Sequence, residues 1–246
     1  MKKNTLILVV GSINADLIAY TSSASQRANY AYGSDFELNL GGKSLNVALT
    51  ASTLTEEIAL ISRVGKDIFG AEILDRLTRR GIVTQYIKID QSAHTGVGHV
   101  RVDEHGQYDT IVINGANWNL EDSDVEAFLA DGYIPQYVVF NFEANVQFLK
   151  KIIPTFKALG SKIVMNFSPI VTDMRELLSM VDIAVMNLEE AQQILNDVDK
   201  DPLLLLQRLK SLGPETVVIT QGAGGAVALG ENGGLLHVPA KKTAVK

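Results

Sequence analysis

Gly11-Ser12-Ile13-Asn14-Ala15-Asp16 leaves the apolar run Leu6-Ile7-Leu8-Val9-Val10 at its carboxyl end. In α/β sheets, ligands bind in the crevice beyond the carboxyl ends of the strands. There, the Asn14 amide and the Asp16 carboxylate can each bond the vicinal hydroxyls of a polyhydroxylated ligand. The same pair would also make an Asx turn carrying the chain off the strand. Further on, Gly41-Gly42-Lys43-Ser44-Leu45-Asn46 places two glycines before a helix. They allow close backbone approach and leave free N–H groups at a positive helix end. Lys43 and Asn46 would point to the same mouth; a tight loop with a solvated Lys is the alternative. The spacing fits neither a Walker A loop nor the Gly-x-Gly-x-x-Gly of dinucleotide folds, so an NAD-binding protein is disfavoured.

The elements that must position these residues alternate. Runs at 6–10, 57–62, 136–141, 162–166, 182–186 and 216–220 are rich in Ile, Val and Leu without strict alternation, as strands covered on both faces should be. Between them the spacing predicts helices at 67–80, with Phe69, Ile73, Leu74 and Leu77 on one stripe and Gly81 as the stop, and at 201–212, with Asp201 as N-cap and Pro202 in the first turn. A third, 145–159, contains Pro154, where a kink or break is expected. This order predicts an α/β fold with a mainly parallel sheet. Two stretches depart from it. Thr95–Val102 and Gln107–Ile113 flank Asp103-Glu104-His105-Gly106, a hairpin signal, and residues 12–40 show no clear helix. Together they predict a small β flap. A second hairpin is expected from Ala226–Leu229 and Leu235–Val238.

Composition narrows the classes. The 246 residues could form one large domain or two small ones at ~150 residues each. With 22 Lys+Arg against 28 Asp+Glu, the net charge of −6 argues against a nucleic-acid partner. Absence of Cys excludes disulfides, thiol catalysis and Cys-ligated metals. His94, His99, His105 and His237 lack zinc-ligand spacing. Hydrophobic content of 46% with 20% charged residues is that of a folded chain, not a disordered one. No run approaches the ~18 apolar residues of a membrane span, so no membrane is expected and cytoplasm is the expected location.

Taken together, the motifs resemble the ribokinase-like (PfkB) carbohydrate kinase family, with Lys43 after Gly-Gly closest to ribokinases. Further matches are Gly65-Lys66-Asp67, Thr95-Gly96-Val97, Asn114-Gly115-Ala116-Asn117, Asn187-Leu188-Glu189-Glu190 and Thr220-Gln221-Gly222-Ala223-Gly224-Gly225, in register along the chain. The resemblance implies one doubly wound α/β domain over 1–246 with a β-sheet lid, its strands within 12–40 and 94–113. It implies ATP-dependent phosphorylation of a small sugar, ribose or a related carbohydrate, at a primary hydroxyl. Asn14, Asp16, Gly42, Lys43, Asn46 and Glu143 become the sugar-binding set. Asn187, Thr220, Gly222 and Gly225 become nucleotide-binding, and Glu190 the Mg²⁺ ligand, where one carboxylate can hold a hydrated ion while phosphate oxygens complete the octahedron. Without the family, Glu143 reads as a surface Glu, Glu189-Glu190 as a solvated helix start, and 220–225 as a Gly-rich turn before a hairpin. The lid is the candidate surface for a homodimer.

Some residues depart from the pattern. Ser44 and Leu45 replace smaller residues, Leu45 being bulky beside the expected sugar site, and Phe167-Ser168-Pro169 follows Asn166. The family's Asp-Thr-x-Gly-Ala-Gly-Asp segment, with its catalytic base and anion hole, has no counterpart before Thr243-Ala244-Val245-Lys246. No catalytic residue is therefore assigned within the chain. The base, the C-terminal helices and a monovalent-cation loop are expected beyond Lys246. The alternative is a non-catalytic sugar-binding remnant without kinase turnover.

Overall fold

The computed structural model describes residues 3–21, 32–172, 174–230 and 233–241. The 22–31 part of the 12–40 segment, Glu231-Asn232 in the last hairpin and Thr243-Ala244-Val245-Lys246 lie outside the described residues. The fold is mixed α/β, with a mainly parallel sheet and a smaller sheet. The chain divides into two compact units, Met1–Tyr133 with Glu143–Asn145, and Ile134–Phe142 with Val146–Lys246.

In the first unit, strand β1 (Lys3–Val10) runs through Gly11 into β2 (Asn14–Thr21) and β3 (Gly33–Gly41). Helix α1 (Lys43–Ala51) follows, then β4 (Ile58–Gly65), helix α2 (Ile68–Arg79), β5 (Ile87–Asp90), β6 (Gly96–Val102), β7 (Tyr108–Ile113) and helix α3 (Asp122–Ala130). Strands β1, β4 and β5 pair in parallel in that order. Leu8, Val9 and Val10 are wholly buried, as expected for a strand apolar along its length. Strands β3-β2-β6-β7 form the small sheet that the flap signal anticipated. Its β6–β7 turn closes as the Gly in Asp103-Glu104-His105-Gly106 suggests. Gly106 has φ +76°, and the Asp103 carboxylate accepts the N–H groups of His105 and Gln107, each at 2.9 Å. Strand β2 pairs antiparallel with β3 but parallel with β6, so the small sheet joins segments far apart in sequence.

Two polar networks tie this unit together. Asp67 is the N-cap of α2, accepting from Gly70 N at 2.8 Å and also from Thr95 N and Oγ1, each at 2.7 Å. Burial raises the Asp67 pKa, but these donors outweigh it and hold the carboxyl below its ordinary range. Gly65-Lys66-Asp67 is thus explained by capping and packing. Arg63 bonds Asp124 at 2.8 Å, Glu121 at 2.6 Å and Asp90 at 3.3 Å, and Lys88 reaches Asp124 at 2.7 Å. The Asp124 side chain is wholly buried, and a charge so placed needs such partners. Glu121 and Asp124 also form the capping box that starts α3, a helix absent from the sequence expectation.

The second unit carries β8 (Tyr133–Asn141), helix α4 (Val146–Ala158), β9 (Lys162–Asn166), β10 (Ile183–Asn187), helices α5 (Leu188–Leu195) and α6 (Pro202–Lys210), β11 (Thr216–Thr220), β12 (Ala226–Leu229) and β13 (Leu235–Val238). Strands β8 to β11 pair in parallel, and β12 and β13 add the expected antiparallel hairpin. Phe140, Phe156, Leu149, Ile163, Met165, Leu206 and Ile219 are wholly buried. Helix α4 runs unbroken through Pro154, where a kink or break was expected. Pro154 lies on the exposed face, where water can satisfy the carbonyl deprived of its N–H donor. No helix among the described residues is long and apolar enough to cross a membrane.

Candidate active site

The strand exits of the first unit bring Asn14, Asp16, Gly42, Lys43 and Glu143 together. Glu143 Oε2 accepts from Ser12 Oγ at 2.5 Å and from Lys43 N at 2.9 Å. Gly42, the N-cap of α1, has φ +93° and no side chain to offer. Glu143 therefore supplies from 100 residues away the acceptor that a Ser or Asp cap normally provides, and a carboxylate also suits the positive helix end. A Cβ on Gly42 would lie 2.8 Å from Ser12 O and 3.0 Å from Asn14 N, so glycine is required both sterically and conformationally.

Asp16 is half-buried, and its carboxylate has no hydrogen-bond partner among the described residues. It lies in a slot walled by glycine. A Cβ on Gly41 would stand 2.1 Å from the Asp16 carboxylate, and one on Gly98 would stand 2.4 Å from its Oδ1. Burial, reinforced by the nearby Glu143 charge, pushes the Asp16 carboxyl up to about 6. A carboxylate so placed is a strong, unspent acceptor for hydroxyl donors.

Asn14 is 3% exposed, and its Oδ1 accepts from Asn117 Nδ2 at 2.7 Å. Lys43 is half-buried, while Asn46 is exposed in the first turn of α1, its N–H bonded to Gly42 O at 3.0 Å. Leu45, expected beside the site, is wholly buried. Sequence reasoning gives no role to Gly98, nor to three residues inside the quoted motifs. Gly41 was quoted only as part of its motif, Ser12 lay inside another, and Asn117 closed a matched tetrapeptide without being given a role.

In the second unit, Asn187 and Glu190 sit at the β10–α5 junction in a reciprocal capping box. Glu190 N donates to Asn187 Oδ1 at 2.8 Å and Asn187 N to Glu190 Oε2 at 2.7 Å. The second Glu190 oxygen can still face a hydrated cation, the binding mode Mg²⁺ favours beside phosphates. Groups of three or more His, Cys, Asp or Glu fit to hold a metal are absent among the described residues. Thr220 ends β11, with Oγ1 donating to Met186 O at 3.4 Å. Gly222 has φ +55° and open space where a Cβ would go, leaving room for a ligand against the backbone. Gly225 differs, because a Cβ there would lie 2.1 Å from Val238 O. Chain packing and a φ of +93° both call for glycine there.

Comparison with known proteins places the fold and the family. Mouse ribokinase is 26% identical over 233 residues, covering 92% of this chain and 71% of the relative. Deoxyribokinase of Salmonella typhi is 26% identical over 239 residues, covering 95% of this chain and 78% of the relative. The structure of Giardia lamblia ribokinase superposes with a TM-score of 0.86 at 25% identity, covering 98% of this chain and 76% of that one. A family model described as pfkB family carbohydrate kinase matches residues 4–246, and the chain belongs to that family of sugar-phosphorylating enzymes.

Proposed function

We propose that the chain binds a pentose, ribose or 2-deoxyribose, and belongs to an enzyme that phosphorylates it from ATP at a primary hydroxyl. The observation carrying this reading is the Asp16 carboxylate, half-buried, without a hydrogen-bond partner among the described residues, and walled by two glycines. A buried carboxylate held above its ordinary pKa is costly unless a ligand supplies donors, and adjacent sugar hydroxyls supply two. Asn14 would donate to a third hydroxyl through Nδ2, and Lys43 and Asn46 would border the same ligand. Glu143 would hold the α1 N-terminus in place for it. The names of the ribokinase and deoxyribokinase relatives favour a pentose over other sugars.

On the nucleotide side, Glu190 would hold Mg²⁺ through water, and Asn187, Thr220 and Gly222 would lie along the phosphates. When bound, Mg²⁺ neutralises charge on the transferred phosphoryl group. The lid would exclude water so that the sugar hydroxyl, not water, is the acceptor. Strand β7 is exposed along its length, with Tyr108 at 74% and Ile111 at 64%, and we propose it as a homodimer contact. A cytoplasmic setting with ATP suits a chain without Cys.

Calorimetric titration with D-ribose, 2-deoxy-D-ribose and D-fructose tests the reading, followed by ADP release with MgATP. Saturable binding of a pentose in preference to the hexose is expected. Absence of binding to all three sugars, together with tight binding of an unrelated ligand, would overturn it. Sugar binding without ADP release would instead favour the non-catalytic reading. Sedimentation of wild type against Ile111→Asp tests the dimer: the variant should run as a monomer where the wild type does not.

A further inference from the structure

Asn117 lies just past the exit of the lid strand β7, and it is 1% exposed. Its Oδ1 accepts the backbone N–H of Ile13 at 2.9 Å, while its Nδ2 donates to Ile13 O at 3.2 Å and to Asn14 Oδ1 at 2.7 Å. The backbone dictates the orientation of both amides. Ile13 N–H can only donate, so the Asn117 atom facing it must be the oxygen. The nitrogen then faces Ile13 O and the Asn14 side chain, so Asn14 must present Oδ1 inward. That leaves Asn14 Nδ2, which has no acceptor among the described residues, as the group turned to a ligand.

The surroundings leave no slack. A Cβ on Gly96, which pairs with Asn14 across β2–β6, would lie 2.2 Å from Asn14 Oδ1 and 2.3 Å from Asn117 Nδ2. Ala116 N donates to His94 O at 2.8 Å, and Gly115 takes φ +51° pressed against the His94 backbone. The chain thus enters the small sheet at 13–14 and at 94–96 and leaves it at 41–42 and at 113–117, and Asn117 fastens the second exit to the first entrance.

We propose that Asn117 is a positioning residue that fixes the Asn14 side chain as a hydrogen-bond donor to a sugar hydroxyl and couples that donor to the base of the lid. This rests on the pentose reading given above. Asn117→Asp separates the role from simple packing. The new carboxylate keeps the shape and can still accept from Ile13 N–H, but it cannot donate to Asn14 Oδ1. Asn14 then gains by turning its amide over, so that an acceptor replaces the donor at the sugar.

The test measures D-ribose affinity by calorimetry for wild type, Asn117→Asp and Asn117→Ala, with melting temperature as the check on folding. Asn117→Asp should weaken binding about 10-fold or more, and Asn117→Ala, which frees the Asn14 amide without inverting it, by less. Trp118, the single tryptophan and 53% exposed, adjoins the fastening point and should report ribose by its fluorescence in wild type and less so in the variants. Wild-type affinity in folded Asn117→Asp would overturn the proposal. If that variant does not fold, wild-type affinity in Asn117→Ala would overturn it. A wild-type protein that binds no pentose would end the pentose reading, yet the positioning role would still be decided by NMR. Solvent exchange of the Asn14 side-chain amide protons, assigned by their loss in Asn14→Asp, should slow about 10-fold in Asn117→Asp as they turn to the carboxylate. Unchanged exchange would refute the positioning role.

Discussion

The strand exits of the first unit and the β10–α5 and β11 ends of the second, the two proposed ligand sites, are built by opposite means. Around Asp16 the glycines, Asn14 and Glu143 are held by packing and hydrogen bonds. Glycine walls stand within van der Waals distance, Asn117 sets the Asn14 amide and Glu143 completes a helix cap from far along the chain. Around Gly222 there is open space, and the Asn187 and Glu190 side chains bond each other's backbone N–H. On the proposed reading the difference follows the ligand chemistry. A neutral sugar is told from water only by the direction of its hydroxyl donors and acceptors, so its site must be rigid. A phosphate chain brings its own charge and takes up metal and backbone N–H groups in less exacting geometry.

The largest effect should come from adding one methyl to the rigid side. Gly41→Ala places a Cβ in the Asp16 carboxylate, and pentose affinity should fall about 100-fold with the fold retained. Near-normal affinity by calorimetry would mean that the slot does not serve the sugar. Asp16→Asn should cost about 30-fold in affinity, as expected on losing a charged acceptor. The same change should stabilise the ligand-free protein. Asp16 titrates at about 6 when folded against 3.8 ordinarily, so between these values the folded state holds the extra proton. Wild-type stability therefore falls as pH rises through that window and carries the full cost above it. Melting curves should show Asp16→Asn above wild type at pH 8, with the gap closing toward pH 4; a gap constant with pH would contradict the assignment.

Smaller changes are expected on the open side. Glu190→Ala removes half of a capping box and should cost about 1 kcal/mol in denaturant unfolding. It should weaken MgATP binding while leaving pentose affinity measured without nucleotide unchanged. Least of all, Gly222→Ala meets no neighbouring atom, and only the strain of its positive φ opposes it, about 1 kcal/mol. A collapse of pentose affinity in either variant would erase the contrast between the two regions.

Much of this was legible in the residues themselves. The buried strands, the hairpin at Asp103–Gly106, the stop at Gly81 and the cap at Asp201 each depend on neighbours in sequence. Helix α3 was missed because it opens on Glu121 and Asp124, an unusual acidic capping box, and its amphipathic signal is short. No break occurs at Pro154, because the rule against proline in helices says nothing of which face it occupies, and here the face is exposed. Asn117 stood within a quoted motif, but its partners Ile13 and Asn14 lie more than a hundred residues back, and only the fold brings them together. Gly41 and Gly98 hid for a related reason: glycine advertises a turn in sequence, whereas here it makes room for a side chain from a neighbouring strand.

The long-distance cap has a consequence for biosynthesis. Ser12 and Glu143 are 131 residues apart, and Glu143 also holds the first N–H of α1. A nascent chain therefore exposes Asn14, Asp16 and Lys43 to the ribosome surface and to chaperones well before their supporting carboxylate has been translated. The lid core must likewise wait for β6 to pair with β2. Such late, non-local closure slows folding. On the proposed reading the sugar site cannot close before residue 143 has emerged, so it stays unfinished for as long as synthesis of the intervening chain takes.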